Sequence, residues 1–218
     1  MYLKKAKDLF AYTVDIRRKI HENPELAGKE DETVKLVCQE LNKMGISYDI
    51  VNQGGVIGYI KGNKKVDNPK TILLRAELDA LPFDEPDNNL SNPRIVKSKN
   101  KGAMHACGHD GHSSILLTAA RILNESKDDF AGNIILCFER GEESGKGYKY
   151  LLAYLDASDI NVDVCYAIHA SADYESGVMA IGSGGINAGS LAFDITIRGD
   201  SGHGSRPYES NNPLDCFV

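Results

Sequence analysis

Residues 104–123 read MHACGHDGHSSILLTAARIL, a loop dense in polar side chains followed at once by an apolar stretch. Three of the chain's six histidines stand within nine positions there, with Cys107 and Asp110 among them. From residue 112 the apolar residues recur at helical spacing, which predicts a helix over 112–124 whose apolar face anchors the loop to a core. Working outward, short β-rich runs flank this unit: ISYDIV at 46–51, GVIGYI at 55–60 and TILLRA at 71–76 before it, NIILCF at 133–138 and VDVCYAIH at 162–169 after it. Helical spacing also appears over 3–20, 31–44 and 146–155. Strands alternating with helices define an α/β layer, with 133–138 and 162–169 expected as buried strands.

After the Gly-rich IGSGGINAGS the pattern changes to one alternating run, SLAFDITIRGD at 190–200, in which Leu191, Phe193, Ile195 and Ile197 share a face. That predicts a half-exposed antiparallel strand and a second domain opening near residue 186, giving expected domains of 1–185 and 186–218. The last residues, NNPLDCFV, look like the start of a helix, and the second domain has too little chain to finish. The expectation is therefore that these 218 residues are part of a longer protein or a truncated product.

Composition narrows the function. With 42% hydrophobic and 26% charged residues the chain is ordinary folded material rather than disordered. A formal charge of −6 and no long basic run argue against nucleic acid and anionic membranes as partners. The charged N-terminus has no secretory apolar block, and no run is long enough to span a bilayer. Five cysteines, an odd number at irregular spacing, point to reduced thiols and a cytoplasmic location. Cys38, Cys137 and Cys165 fall on apolar faces and are expected to be buried; Cys107 does not.

The unusual polar groups share one place in the predicted topology. Glu77 and Asp79 follow TILLRA, Glu142 and Glu143 follow NIILCF, and His169 ends VDVCYAI, so each lies at the carboxyl end of a strand, the edge where open α/β sheets bind ligands. Alone, the glutamate pair reads as a solvated surface pair and His169 as a core histidine. Together with the 105–112 loop they assemble Cys, His, Glu and His around one point. Such a set suits divalent transition metals, with imidazole and thiolate favouring zinc-like ions and carboxylates admitting manganese or cobalt. It supplies more ligands than one metal takes, as in paired-metal sites that hydrolyse amides or esters. Adjacent glutamates divide the labour, one ligating and one taking a proton.

The motifs RRKIHENPEL, LLRAELDALP, GAMHACGHDGHSS, GEES and GHGSRP occur in this order. With them the chain resembles the hippurate hydrolase, N-acyl-amino-acid amidohydrolase and plant auxin-conjugate hydrolase branch of the dinuclear metallopeptidases related to aminoacylase and carboxypeptidase G, from about residue 14 to the last. The resemblance implies a zinc-peptidase-like catalytic domain, a central mixed sheet flanked by helices, into which an α+β lid and dimerisation domain is inserted, here only begun. It implies Cys107 as bridging ligand, His109, Glu143 and His169 as further ligands, Glu142 as general base, and Asp79 as the carboxylate orienting a metal-binding histidine. His203 in GHGSRP would be a lid histidine that reaches the partner subunit's site in a homodimer and stabilises the oxyanion. Two divalent ions are implied, zinc or manganese, with cobalt and nickel as alternatives, and a small N-acyl amino acid as substrate. The rival readings are a dipeptidase or carboxypeptidase on the same scaffold and a non-catalytic remnant. The chain departs from the family's usual pattern in having Glu77 for Asp, Arg140 for Pro and Ser144 for Gly. His105, Asp110 and His112 stay open between support of the ligands and helix capping.

Overall fold

Three helices precede the first strand in the computed structural model, which describes residues 2–182 and 193–217. They are α1 (Tyr2–Asp8), α2 (Phe10–Glu22) and α3 (Asp31–Lys43). The single helix expected over 3–20 is divided at Leu9, where the backbone leaves the α region (φ −94°, ψ 6°), and α2 then runs on to Glu22. α3 ends as its sequence predicts: Gly45 takes φ +66°, a conformation in which glycine escapes the Cβ clash that stops other residues.

The strands and helices that follow are β1 (Ser47–Val51), β2 (Gly55–Lys61), β3 (Thr71–Glu77), the two-residue β4 (Asn88–Asn89) and β5 (Asn92–Pro93), α4 (His109–Asn124), β6 (Asn133–Glu139), α5 (Gly147–Ala157) and β7 (Val164–Ala167). β4 and β5 pair only with each other; the rest form one mixed sheet in the order β1-β2-β6-β3-β7. β2 is antiparallel to β1 and β6, whereas β3 is parallel to both its neighbours, β6 and β7, with Ala76 opposite Phe138 and Leu73 opposite Cys165.

Both faces of the central strands are covered, which is why NIILCF is a continuous apolar run rather than an alternating one. Ile134, Leu136 and Phe138 face a core built with Ile16 and Ile20 of α2, Val37 and Leu41 of α3, and Leu117 and Ala120 of α4. Ile135 and Cys137 face the other way, against Leu151 and Leu155 of α5.

Two expectations fail at the sheet's edge and beyond. The strand predicted over 162–169 is confined to Val164–Ala167 and is exposed throughout, and Cys165 is exposed with it. Among the described residues β7 is an edge strand, paired only with β3, and its apolar residues reach neither core cluster. The alternating run at 190–200 forms no strand over its described residues 193–199. Alternation marks a face suited to half-burial, but a strand exists only where a neighbour supplies its hydrogen bonds. Residues 190–192, like the expected boundary near 186, lie outside the described residues.

The chain divides into two compact units, Met1–Ala172 and Asp173–Val218. Within the second, Asp200 and Asn211 exchange backbone hydrogen bonds of 3.0 and 3.1 Å, and short 3-10 turns occupy Pro207–Glu209 and Pro213–Phe217, the latter where a helix start was expected. No helix among the described residues is long and apolar enough to cross a membrane.

Candidate metal centre

Because β3, β6 and β7 run parallel, their carboxyl ends share one edge of the sheet. Glu77 is the last residue of β3 and Asp79 follows two residues later; β6 leads into a 3-10 turn at Glu142–Ser144; His169 lies two residues past β7. The fourth contribution comes from α4, which begins at His109, three residues before the sequence suggests, with Gly108 preceding it at φ +95°. His109 therefore sits on the first turn of a helix packed against the sheet.

Ligand-type atoms converge there. Cys107 Sγ lies 3.3 Å from His169 Nε2. His109 Nε2 is 3.8 Å from Glu142 Oε2 and 3.9 Å from Glu143 Oε1. Cys107, His109 and His169 form one group, and His109, Glu142 and Glu143 another, in which the ligand atoms all lie within 4.8 Å of one another. His109 belongs to both and is fully buried, yet its Nε2 has no hydrogen-bond partner among the described residues. Its Nδ1 is held by Asp79, at 3.0 Å from the carbonyl oxygen and 3.1 Å from Oδ1. Asp79 Oδ2 accepts a 2.9 Å bond from the Glu143 backbone N–H, so one buried carboxylate fixes both a histidine ring and the neighbouring glutamate. His203 belongs to the second unit, where its Nδ1 lies 2.8 Å from Ser205 Oγ.

The electrostatics suit a bound cation. Burial, and then the negative charge of Glu143, push the Cys107 thiol up to about 12, so the thiolate form requires a positive charge beside it. Burial opposes protonation of His109, but the Asp79 hydrogen bond and the charges of Glu77 and Asp79 outweigh it and raise its pKa. An unpartnered buried imidazole nitrogen facing a thiol and three further metal-capable side chains fits a transition-metal site and has no other evident use.

None of the three residues left open by the sequence is the N-cap of α4, which is Gly108, although Asp110 Oδ1 accepts from the first-turn Gly111 N–H at 2.9 Å. His112 is buried between Glu77, 2.8 Å from its Nδ1, and the Ala170 N–H, which donates to its Nε2 at 2.9 Å. Burial opposes ionisation of Glu77, but the His112 hydrogen bond and the Arg75 charge lower its pKa. His112 thus ties the β3 terminus to the residue after His169. Asp110 accepts from His21 Nδ1 at 2.7 Å and from Arg17 Nε at 2.8 Å, linking α4 to α2, and the other ring nitrogen of His21 meets Glu85 at 2.9 Å. His105 is buried with neither nitrogen bonded among the described residues, and burial drives its pKa down to about 4. Sequence reasoning missed the His21–Asp110 contact; its only signal was a histidine inside RRKIHENPEL.

Residues 73–215 match the peptidase family M20/M25/M40. The chain belongs to this family. It is 44% identical over 214 residues to thermostable carboxypeptidase 2 of Saccharolobus solfataricus, covering 95% of this chain and 51% of that protein. It is 41% identical to IAA-amino acid hydrolase ILR1-like 5 of Arabidopsis thaliana, covering 97% and 46%. Among solved structures, a dinuclear metal-binding peptidase of the M20 family from Bacillus subtilis superposes with a TM-score of 0.67 at 32% identity, covering 77% of this chain and 44% of that one. The chain spans about half the length of the curated relatives it matches. As an M20-family chain it carries the expected α/β fold, a central mixed sheet flanked by helices.

Proposed function

We propose that this protein is a metal-dependent amidohydrolase that cleaves the amide bond of N-acyl amino acids or similar small conjugates. The observation that carries the reading is the buried, unpartnered Nε2 of His109, ringed by Cys107, Glu142, Glu143 and His169. Cys107, His109, Glu143 and His169 would hold two divalent ions, zinc or manganese, with cobalt or nickel as alternatives. Such ions, when bound, polarise a carbonyl and make water acidic enough to lose a proton near neutral pH.

The rest falls to the chain's own side chains. Glu142, the more exposed of the pair, takes the proton of the attacking water and returns it to the leaving amine. Asp79 keeps the proton of His109 on Nδ1, leaving Nε2 free to ligate. His203 of a second copy donates to the oxyanion in a homodimer, with 186–218 opening the lid domain and 1–185 the catalytic one. The expected compartment is the cytoplasm, with neither nucleic acid nor membrane as partner.

Similarity to a carboxypeptidase gives the rival reading its support. The two are chemically close, since both release a free amino acid from an amide nitrogen, and they differ in whether the acyl side is a simple acid or a peptide. Hydrolysis of N-benzoyl and N-indolylacetyl amino acids, measured beside peptides of the same C-terminal residue, separates them; a preference for the peptides rejects the amidohydrolase reading. Glu142→Gln is expected to keep its metal and lose about 10²–10⁴-fold in kcat, and near-normal turnover would remove Glu142 from the mechanism.

A further inference from the structure

Glu30 is a carboxylate with no accessible surface that binds Arg140, 110 residues away in sequence. It occupies the position just before α3 where a side chain normally caps its own helix, yet it makes no such bond. Its oxygens turn instead toward the segment that delivers the glutamate pair. Oε1 accepts from the Gly141 N–H at 2.7 Å and from the Gly28 N–H at 2.9 Å, and Oε2 accepts from Arg140 Nε at 2.9 Å. Arg140, itself largely buried, also reaches Asp31 at 2.9 Å, and its backbone N–H donates to Gly54 O at 2.9 Å.

The turn at Glu142–Ser144 is bracketed by Gly141 at φ +66° and Gly145 at φ +62°. Glycine at both ends leaves the turn little steric definition of its own, because a residue without Cβ has the widest choice of backbone conformation. Bonds within the turn, Ser144 Oγ to Gly141 O and Gly145 N–H to Glu142 O, both 2.8 Å, close it locally, but they do not fix where it stands against the sheet. Asp79 holds the Glu143 N–H, and Glu30 holds the entry at Gly141. Burying a carboxylate without partners is prohibitive, so Glu30 is committed to these donors and they to it.

We propose that Glu30 is a positioning residue for the Glu142–Glu143 turn, with Arg140 as its counter-ion. It touches neither substrate nor metal; it sets where Glu142 stands. The idea rests on the hydrolase reading for its kinetic consequence and on geometry alone for its structural one.

Glu30→Gln tests it, because the amide must present an NH₂ either to the two glycine N–H groups or to Arg140 Nε, one donor facing another. In the metal-loaded enzyme the expected result is a loss of about 10- to 100-fold in kcat, the range for one charge-assisted hydrogen bond. KM should stay within about twofold and metal content should be unchanged. Hydrogen exchange read by mass spectrometry should show the amides of 141–146 opening about 10- to 100-fold faster while β2 and β6 keep their protection. Adding Arg140→Gln to Glu30→Gln places a carbonyl where it can accept from the newly introduced amide, and should recover at least about threefold of each loss. Uniformly faster exchange across sheet and turn would make Glu30 an ordinary fold residue, and unchanged exchange at 141–146 would show that the turn holds itself. If the wild type cleaves no acyl amino acid or peptide, the hydrolase reading falls and the exchange comparison alone decides this one. Should Glu30→Gln not fold, Arg140→Gln alone is expected to speed turn exchange at least about threefold, and no change there refutes the proposal.

Discussion

Asp79→Asn is nearly isosteric and tests how far one buried carboxylate organises the centre. Asp79 accepts from His109 through Oδ1 and from the Glu143 N–H through Oδ2. Asparagine keeps one acceptor oxygen and replaces the other with a donor. If the oxygen stays on Glu143, the new NH₂ faces His109 Nδ1, favours the tautomer protonated at Nε2 and blocks the atom that points into the cluster. If it stays on His109, the Glu143 N–H faces a donor inside the protein and the turn shifts. Either way one hydrogen bond to a charged group is lost, about 1.5–3 kcal/mol, which at about 1.4 kcal/mol per decade is roughly one to two powers of ten. The His109 carbonyl contact at 3.0 Å remains and keeps the effect at the lower end. The expected outcome is a metal Kd weakened about 10- to 100-fold, the range for groups that orient a ligand. Chelator competition on the loaded enzyme measures it, with kcat taken at saturating metal. A Kd and kcat both within about twofold of wild type would refute the assignment of Asp79 as the group that fixes His109 and Glu143 together.

Cys107→Ser should lower metal occupancy, since a serine hydroxyl stays protonated where a thiolate would ligate; full occupancy by elemental analysis would make Cys107 structural. The pKa of His21 is raised by its hydrogen bond to Asp110 against the opposing effect of burial. Its stabilisation is therefore complete below its ordinary value of about 6.5 and fades as pH rises through the folded value. The Tm difference between wild type and His21→Gln should thus shrink as pH rises above about 6.5, and a difference that grows with pH contradicts the sign. If His203 acts across a dimer, mixing His203→Ala and Glu142→Gln chains should restore some turnover, because one composite site holds both working residues; mixed dimers as inactive as either parent reject a role in trans.

The parts of the fold that sequence makes legible are those whose cause is local. NIILCF had to be covered on both faces, and α3 had to stop at Gly45, because apolar continuity and positive φ are properties of a few neighbouring residues. VDVCYAIH looks just as apolar but lies at an edge, and which strand is an edge is decided by the other strands. Nothing within those eight residues distinguishes the two cases. The same holds for SLAFDITI, whose alternation is real in sequence but whose described residues 193–199 pair with no strand among the described residues.

The site divides along the same line. Cys107, His109, Glu142, Glu143 and His169 are visible because their residue types are costly to place without a use and because strand ends are predictable from pattern. The pairings among the groups that hold them are not visible in the sequence, even where it marks one partner. Glu77 meets His112 across 35 residues, His21 meets Asp110 across 89, and Glu30 meets Gly141 across 111. A carboxylate is an ordinary surface residue in sequence, and only its burial reveals that the chain has committed backbone donors to it. The Arg140 that departs from the usual proline illustrates the consequence. In sequence it is a blemish in a motif, whereas in the fold its guanidinium neutralises Glu30 and its N–H closes onto Gly54, two contacts a proline could not make. A variation at the site's border therefore has to be judged by the buried partner it answers, and here that partner stands immediately before α3, far from the motif in sequence.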